Sequence, residues 1–151
     1  MIYWQHLTRQ ANEAHTREAY VDAQELGRKA LACAEATFKD DFEVDAETAV
    51  SAVIVSYMNL AEVSVSMKEW LQANYYFERG VQFLQSIIVK PELPSEHREL
   101  IELTASHLRF EWELFTQTYG SKLAVAKRTN RLRWLKQRND DSSSWQSSYG
   151  Y

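Results

Sequence analysis

The sequence predicts an all-α fold of about six antiparallel helices in a single domain. Three observations carry this. Gly and Pro are scarce, at four and two in 151 residues, and both prolines fall between Val89 and Ser95. A β-sandwich or barrel needs a turn signal every ~8–12 residues, and this chain lacks them. Its apolar residues recur at three- and four-residue steps instead of alternating. At this size, and with 45% hydrophobic residues, the chain can bury a core without staples.

The first helix spans about 2–14, with Trp4, Leu7, Ala11 and Ala14 on one side. Thr16 is placed to cap the second, its hydroxyl accepting a first-turn amide. That helix reaches about Lys39, with Tyr20, Ala23, Ala30, Leu31 and Ala34 inward, and the acidic stretch 40–45 breaks the pattern. The third, about 46–67, is apolar nearly all round, which implies burial on more than one side. The fourth, about 69–89, stops at Pro91 and Pro94, since proline lacks the amide a helix needs. Ser95 is placed to cap the fifth, about 96–119, whose stripe is Ile101, Ala105, Leu108, Trp112, Phe115 and Tyr119. Gly120 is expected to end it in a left-handed conformation. A basic sixth helix follows, about 122–138, completing a helical domain over 1–138. The Ser-rich segment 139–151 is expected to be a disordered tail.

Charge divides the chain. Residues 1–120 carry 10 basic and 19 acidic side chains, whereas 121–151 carry 7 basic and 2 acidic. Such asymmetry points to a polyanion partner or to pairing between the two parts. The single cysteine, Cys33, excludes a disulfide framework and suits a reducing cytoplasm. No segment reads as a targeting signal. The weakly polar run 49–61 is too short for a bilayer, which takes ~20 apolar residues. A cytoplasmic chain with no membrane contact is expected.

Enzyme motifs are missing: no G-x-G-x-x-G, no G-x4-G-K-[ST], no G-x-S-x-G, no H-E-x-x-H. His107 and Glu111 share a helix face, but a metal needs further ligands. Asp41, Glu43, Asp45 and Glu47 alternate like the start of a calcium loop, yet Ala46 and Ala52 stand where that loop needs Gly and Glu. The expectation is a non-enzymatic protein with no catalytic residues, metal or cofactor.

One helical pair carries a repeat signature. Tyr57, Leu60, Ala61 and Ser64 are followed by Trp70, Ala73, Phe77 and Gly80, at the spacing of a tetratricopeptide unit. Leu7, Ala11, Ala14, Tyr20, Ala23, Gly27 and Ala30 fit more loosely, and Ile101, Ala105 and Leu108 fit the first half of a third unit. The chain thus resembles the tetratricopeptide-repeat family over roughly 4–119, in units of about 2–39, 46–89 and 96–138. The resemblance implies a short right-handed α-α superhelix whose concave groove takes a peptide or partner helix. Carried over, that groove is lined by Gln5, Thr8 and Asn12, by Val55, Met58, Asn59, Glu62 and Ser66, and by Glu99, Glu102, Leu103 and Ser106. Asn12 and Asn59 hold the Asn places of a carboxylate clamp, but Thr8, Glu99 and Leu103 hold its basic places. Without those cations the clamp is lost, and a neutral or basic protein or peptide is the implied ligand. A homodimer is the other use of such a surface.

The basic helix offers an alternative, nucleic-acid binding. Lys127, Arg128, Arg131, Arg133 and Arg138 can neutralise phosphates, and Trp134 can stack on an unpaired base. Against it stands a plain structural role: a cap lying on the fifth helix, its cations offsetting Glu99, Glu102 and Glu113.

Overall fold

The computed structural model describes residues 1–148 and is all-helical. Five helices form: α1 (Ile2–Thr16), α2 (Tyr20–Val44), α3 (Ala46–Ser66), α4 (Trp70–Ile88) and α5 (Ser95–Ser148). Each packs chiefly on its chain neighbours, with edge contact between α1 and α3 and between α3 and α5. The core is centred on α3, where Val50, Val53, Leu60 and Ala61 are sealed between α2 and α4. That burial accounts for its apolar character. By length and composition alone, Ala46–Ser66 is long and apolar enough to cross a membrane.

The two hairpins are built alike. After α1, the Ala19 amide donates to the Ala14 carbonyl at 2.8 Å, and Glu18 takes φ 63°. After α3, the Glu69 amide donates to the Ser64 carbonyl at 2.8 Å, and Lys68 takes φ 59°. This is a helix-ending turn normally closed by glycine, here made by two charged residues. Thr16 does not cap α2, because it is still the last residue of α1, where its hydroxyl donates to the Asn12 carbonyl at 2.9 Å.

Glycines sit where helices cross closely. A Cβ on Gly27 would stand 2.8 Å from Leu60 Cδ2, and one on Gly80 would stand 2.8 Å from Leu108 Cδ2. Both leucines are fully buried, so each fills the hole that its glycine leaves.

The acidic stretch is not a break. α2 runs through it to Val44 because Phe38 and Phe42, one turn apart, hold that face on the core; Phe38 packs on Phe83 at 4.9 Å and Phe42 on His97 at 4.9 Å. The linker is Asp45 alone. Its carboxylate accepts the Thr48 amide at 3.2 Å and the Thr48 hydroxyl at 2.6 Å, capping α3 and drawing its pKa down. The segment after α4 is fixed by Arg98, whose Nη1 donates to the Ile88 carbonyl at 2.9 Å.

The expected fifth and sixth helices are one. Gly120 is interior to α5 and caps nothing. Glycine weakens a helix by only ~1 kcal/mol relative to alanine. Packing outweighs that here: Tyr119 stacks on Trp70 at 5.0 Å, Lys122 Nζ lies 5.2 Å from the same ring, and Leu123 is buried. The helix also continues past Arg138 to Ser148, where a disordered tail is expected from sequence; 149–151 lie outside the described residues. Nor does Ser95 precede the helix, since it is the first residue of α5, and the Pro94 carbonyl accepts the Arg98 amide at 2.9 Å.

Candidate functional site: a divided groove beside α3

One face of α3 stays open. Val55, Glu62 and Ser66 are exposed there, Met58 and Asn59 half-buried. α1 and α5 flank this face, so the sequence-predicted residues of α1 and α3 do share one side of the molecule.

The groove is closed in its middle. The Trp4 indole donates to Ser56 Oγ at 2.8 Å, and His15 Nε2 is hydrogen-bonded to Ser66 Oγ at 2.8 Å. Asn12, Asn59 and Glu62 meet between these bonds around a space of about 10 Å³. That holds no more than about one water, so no ligand side chain fits in this space.

Two open hollows lie nearby, the first bordered by α1 and Arg17 alone. Gln5, Thr8 and Asn12 line an open one of about 590 Å³ along α1, together with Trp4, Arg9, Glu13 and Arg17. Its charge is mixed, not acidic as the carried-over groove implies. Thr8 Oγ1 is buried with no hydrogen-bond partner.

The second hollow, about 430 Å³, lies between α3 and α5. Met58, Asn59, Glu62 and Val65 form one wall, and Glu111, Leu114, Phe115 and Thr118 the other. It offers apolar anchoring between two carboxylates, the makings of a site for an apolar residue beside a cation.

The α5 residues expected in the groove are not there. Glu99, Glu102, Leu103 and Ser106 are exposed, and none lines this hollow. At 100° per residue, Glu99, Glu102 and Ser106 point away from the buried side of α5. The register explains it. Gly80 packs on both Tyr57 and Leu108, so Leu108, not Ile101, stands level with Tyr57. The part of α5 level with Tyr57 thus lies about two turns beyond Ile101. The 50-position step from Leu7 to Tyr57, applied once more, reaches His107 beside Leu108, but it carries Met58, Asn59 and Glu62 onto Leu108, Arg109 and Trp112 and so does not find Glu111, Leu114 or Thr118.

The basic half of α5 does not fold back on its first half, since the two are collinear. The expected cap on the fifth helix is therefore not formed. Lys127, Arg128, Arg131, Arg133, Trp134 and Arg138 are all exposed. Lys127, Arg131, Arg133 and Trp134 border a hollow of about 590 Å³ with Leu71, and the Arg138 guanidinium lies 5.3 Å from the Trp134 ring. Among the described residues the one ion pair is Lys29–Glu25 at 3.6 Å, so these cations carry no carboxylate partner.

Other titratable groups serve the packing. Tyr57 donates to Glu35 Oε1 at 2.7 Å, and burial, then this bond, push its phenol well above the usual range. Among the described residues no three His, Cys, Asp or Glu side chains gather as metal ligands.

The family model described as a protein of unknown function (DUF2753) matches residues 3–142. The chain belongs to this family. The match takes in α1 from its second residue, all of α2 to α4, and α5 as far as residue 142, so the DUF2753 unit includes the basic half of α5 and does not end at the compact body. No curated protein and no solved structure matches the chain.

Proposed function

We propose that this DUF2753 chain is a non-enzymatic protein-binding module of tetratricopeptide-like, right-handed superhelical build, which holds a neutral or basic peptide or helix on the α3 face. The observation that carries the reading is the repeated hairpin. Two α-α units share one turn 50 positions apart, and the first helix of each lies beside an open face. Stacked units of this kind leave one side of their first helices free, and a preformed groove loses little entropy on binding. The fold-level analogy supplies the class of function; the α3/α5 hollow supplies the chemistry. Its Met58, Val65 and Leu114 would take an apolar anchor, and Glu62 and Glu111 a neighbouring cation. A cytoplasmic setting without membrane contact is part of the proposal.

The test is affinity purification of tagged wild-type protein beside a Met58→Asp, Glu62→Lys variant, both treated with nuclease. A discrete protein held by the wild type and lost by the variant, with circular dichroism unchanged, is the expected result. The same proteins on both would sink the groove.

One observation favours a second reading, nucleic-acid binding by the basic half of α5. Seven cations between Lys122 and Arg138 stand without an intervening acid. Such binding would weaken steeply with salt. Arg138 over Trp134 already occupies part of the ring that a base would stack on.

A further inference from the structure

α5 exposes a second apolar seam, distinct from the one that packs on α4. Leu114, Val125, Leu132 and Leu135 are 41%, 57%, 60% and 44% exposed. With Thr118, Ser121 and Arg128 between them they follow a continuous 4-3-4-3-4-3 spacing. That is the spacing of a coiled-coil seam, in which side chains of one helix seat between those of another. Among the described residues nothing covers it beyond Leu123, the last of them on this helix to be buried.

We propose that the occupant is a second copy of this chain, paired antiparallel through α5 about a two-fold axis near Thr118 and Ser121. The seam and the charge both fit a self-complementary pairing. Residues 95–120 of α5 carry five acids and two bases, and 121–138 carry seven bases and no acid. A parallel pair would set the basic halves together. An antiparallel pair keeps the two basic halves apart and sets each against the partner's 104–120, where Glu111 and Glu113 outnumber Arg109.

The register is specified. Centring the pair between Thr118 and Ser121 places Leu114 against the partner's Val125, and Glu111 against the partner's Arg128. It also places His107 against the partner's Leu132 and Thr104 against the partner's Leu135. Small Thr118 and Ser121 beside Gly120 let the helices approach at the axis. Residues 104–135 then overlap over about 48 Å at ~1.5 Å per residue. Glu111 and Leu114 also wall the α3/α5 hollow, so the basic half of one copy becomes the ligand of the other's groove. The pairing thus rests on the reading above, with the partner now identified.

The experiment is sedimentation equilibrium of the full chain, nuclease-treated, across the micromolar range. The expected mass is that of a dimer. Val125→Asp with Leu132→Asp yields monomer, with helicity retained because both side chains are exposed. Glu111→Arg and Arg128→Glu each weaken the dimer roughly tenfold, and combining them restores most of the affinity. A monomer at every concentration overturns the pairing while leaving the groove free for a foreign partner, so the two readings fail separately. A dimer indifferent to Val125 and Leu132, charge reversals whose effects simply add, or a doubled mass that vanishes on nuclease treatment would also overturn it, the last in favour of nucleic acid.

Discussion

The α1–α2 and α3–α4 hairpins use the same turn, with Glu18 and Lys68 in the left-handed conformation and Ala14 and Ser64 offering the same carbonyl. Their surroundings differ. α1 is an end helix, with Leu7, Ala11 and Ala14 buried on one side and a wide hollow on the other. α3 is covered by α2 and α4 and buries twelve of its residues. One local design is therefore stabilised by very different amounts of packing, and position in the stack sets the difference.

The largest effect should separate the hairpins by burial. Leu60→Ala removes a side chain that is 0% exposed and fills the hole left by Gly27. A loss of about 3–5 kcal/mol is expected in urea unfolding, the upper part of the range for such truncations. Leu7→Ala, at 5% exposed on the end helix, should lose about 2–3 kcal/mol, because α1 can settle toward the core. Equal losses would mean that α1 is held as rigidly as α3.

Glycines give the next contrast. Alanine normally strengthens a helix interior by ~1 kcal/mol over glycine. At Gly27 and Gly80 the new Cβ would meet buried leucines at 2.8 Å, so overpacking should win and cost about 1–2 kcal/mol net. At Gly120 the nearest atom, Thr116 Cγ2, is 4.0 Å away. Gly120→Ala should therefore stabilise by about 1 kcal/mol. A destabilised Gly120→Ala protein would mean that α5 breaks there after all, and the seam with it.

These positions also show what is legible in a sequence. The stripe Ile101, Ala105, Leu108, Trp112, Phe115 and Tyr119 is inward as its spacing requires, and Pro91 and Pro94 lie in the segment between α4 and α5. Local signals failed where a distant contact decided the outcome. Gly120 is a stop signal by type, but Trp70 on Tyr119 and Lys122 carries the helix across it. The acidic residues 40–43 suggest a linker, but Phe38 and Phe42 find Phe83 and His97. That the named residues of α1 and α3 share one side is legible in their spacing, whereas the level at which α5 passes them depends on Gly80 meeting Leu108. Hydrogen bonds such as Trp4 to Ser56, which divide the groove, join helices that sequence spacing alone cannot bring together.

The smallest expected effect tests whether the two turns are equivalent. A non-glycine residue in the left-handed region is strained by ~1 kcal/mol, and glycine relieves this at some entropic loss from a freer unfolded chain. Glu18→Gly and Lys68→Gly should each stabilise by roughly 0.5 kcal/mol from backbone relief alone. The gains should not be equal at low salt. Lys68 borders the same hollow as Arg133, a like charge, so its removal also relieves repulsion. Glu18 follows Arg17 as Lys68 precedes Glu69, so each loses one favourable neighbour, and only Lys68 also loses a like charge. Lys68→Gly should therefore gain more in dilute buffer, and the two should converge as salt screens the difference. Gains that differ equally at low and high salt would place the inequality in the backbone and show that the turns, alike in hydrogen bonding, are not alike in strain.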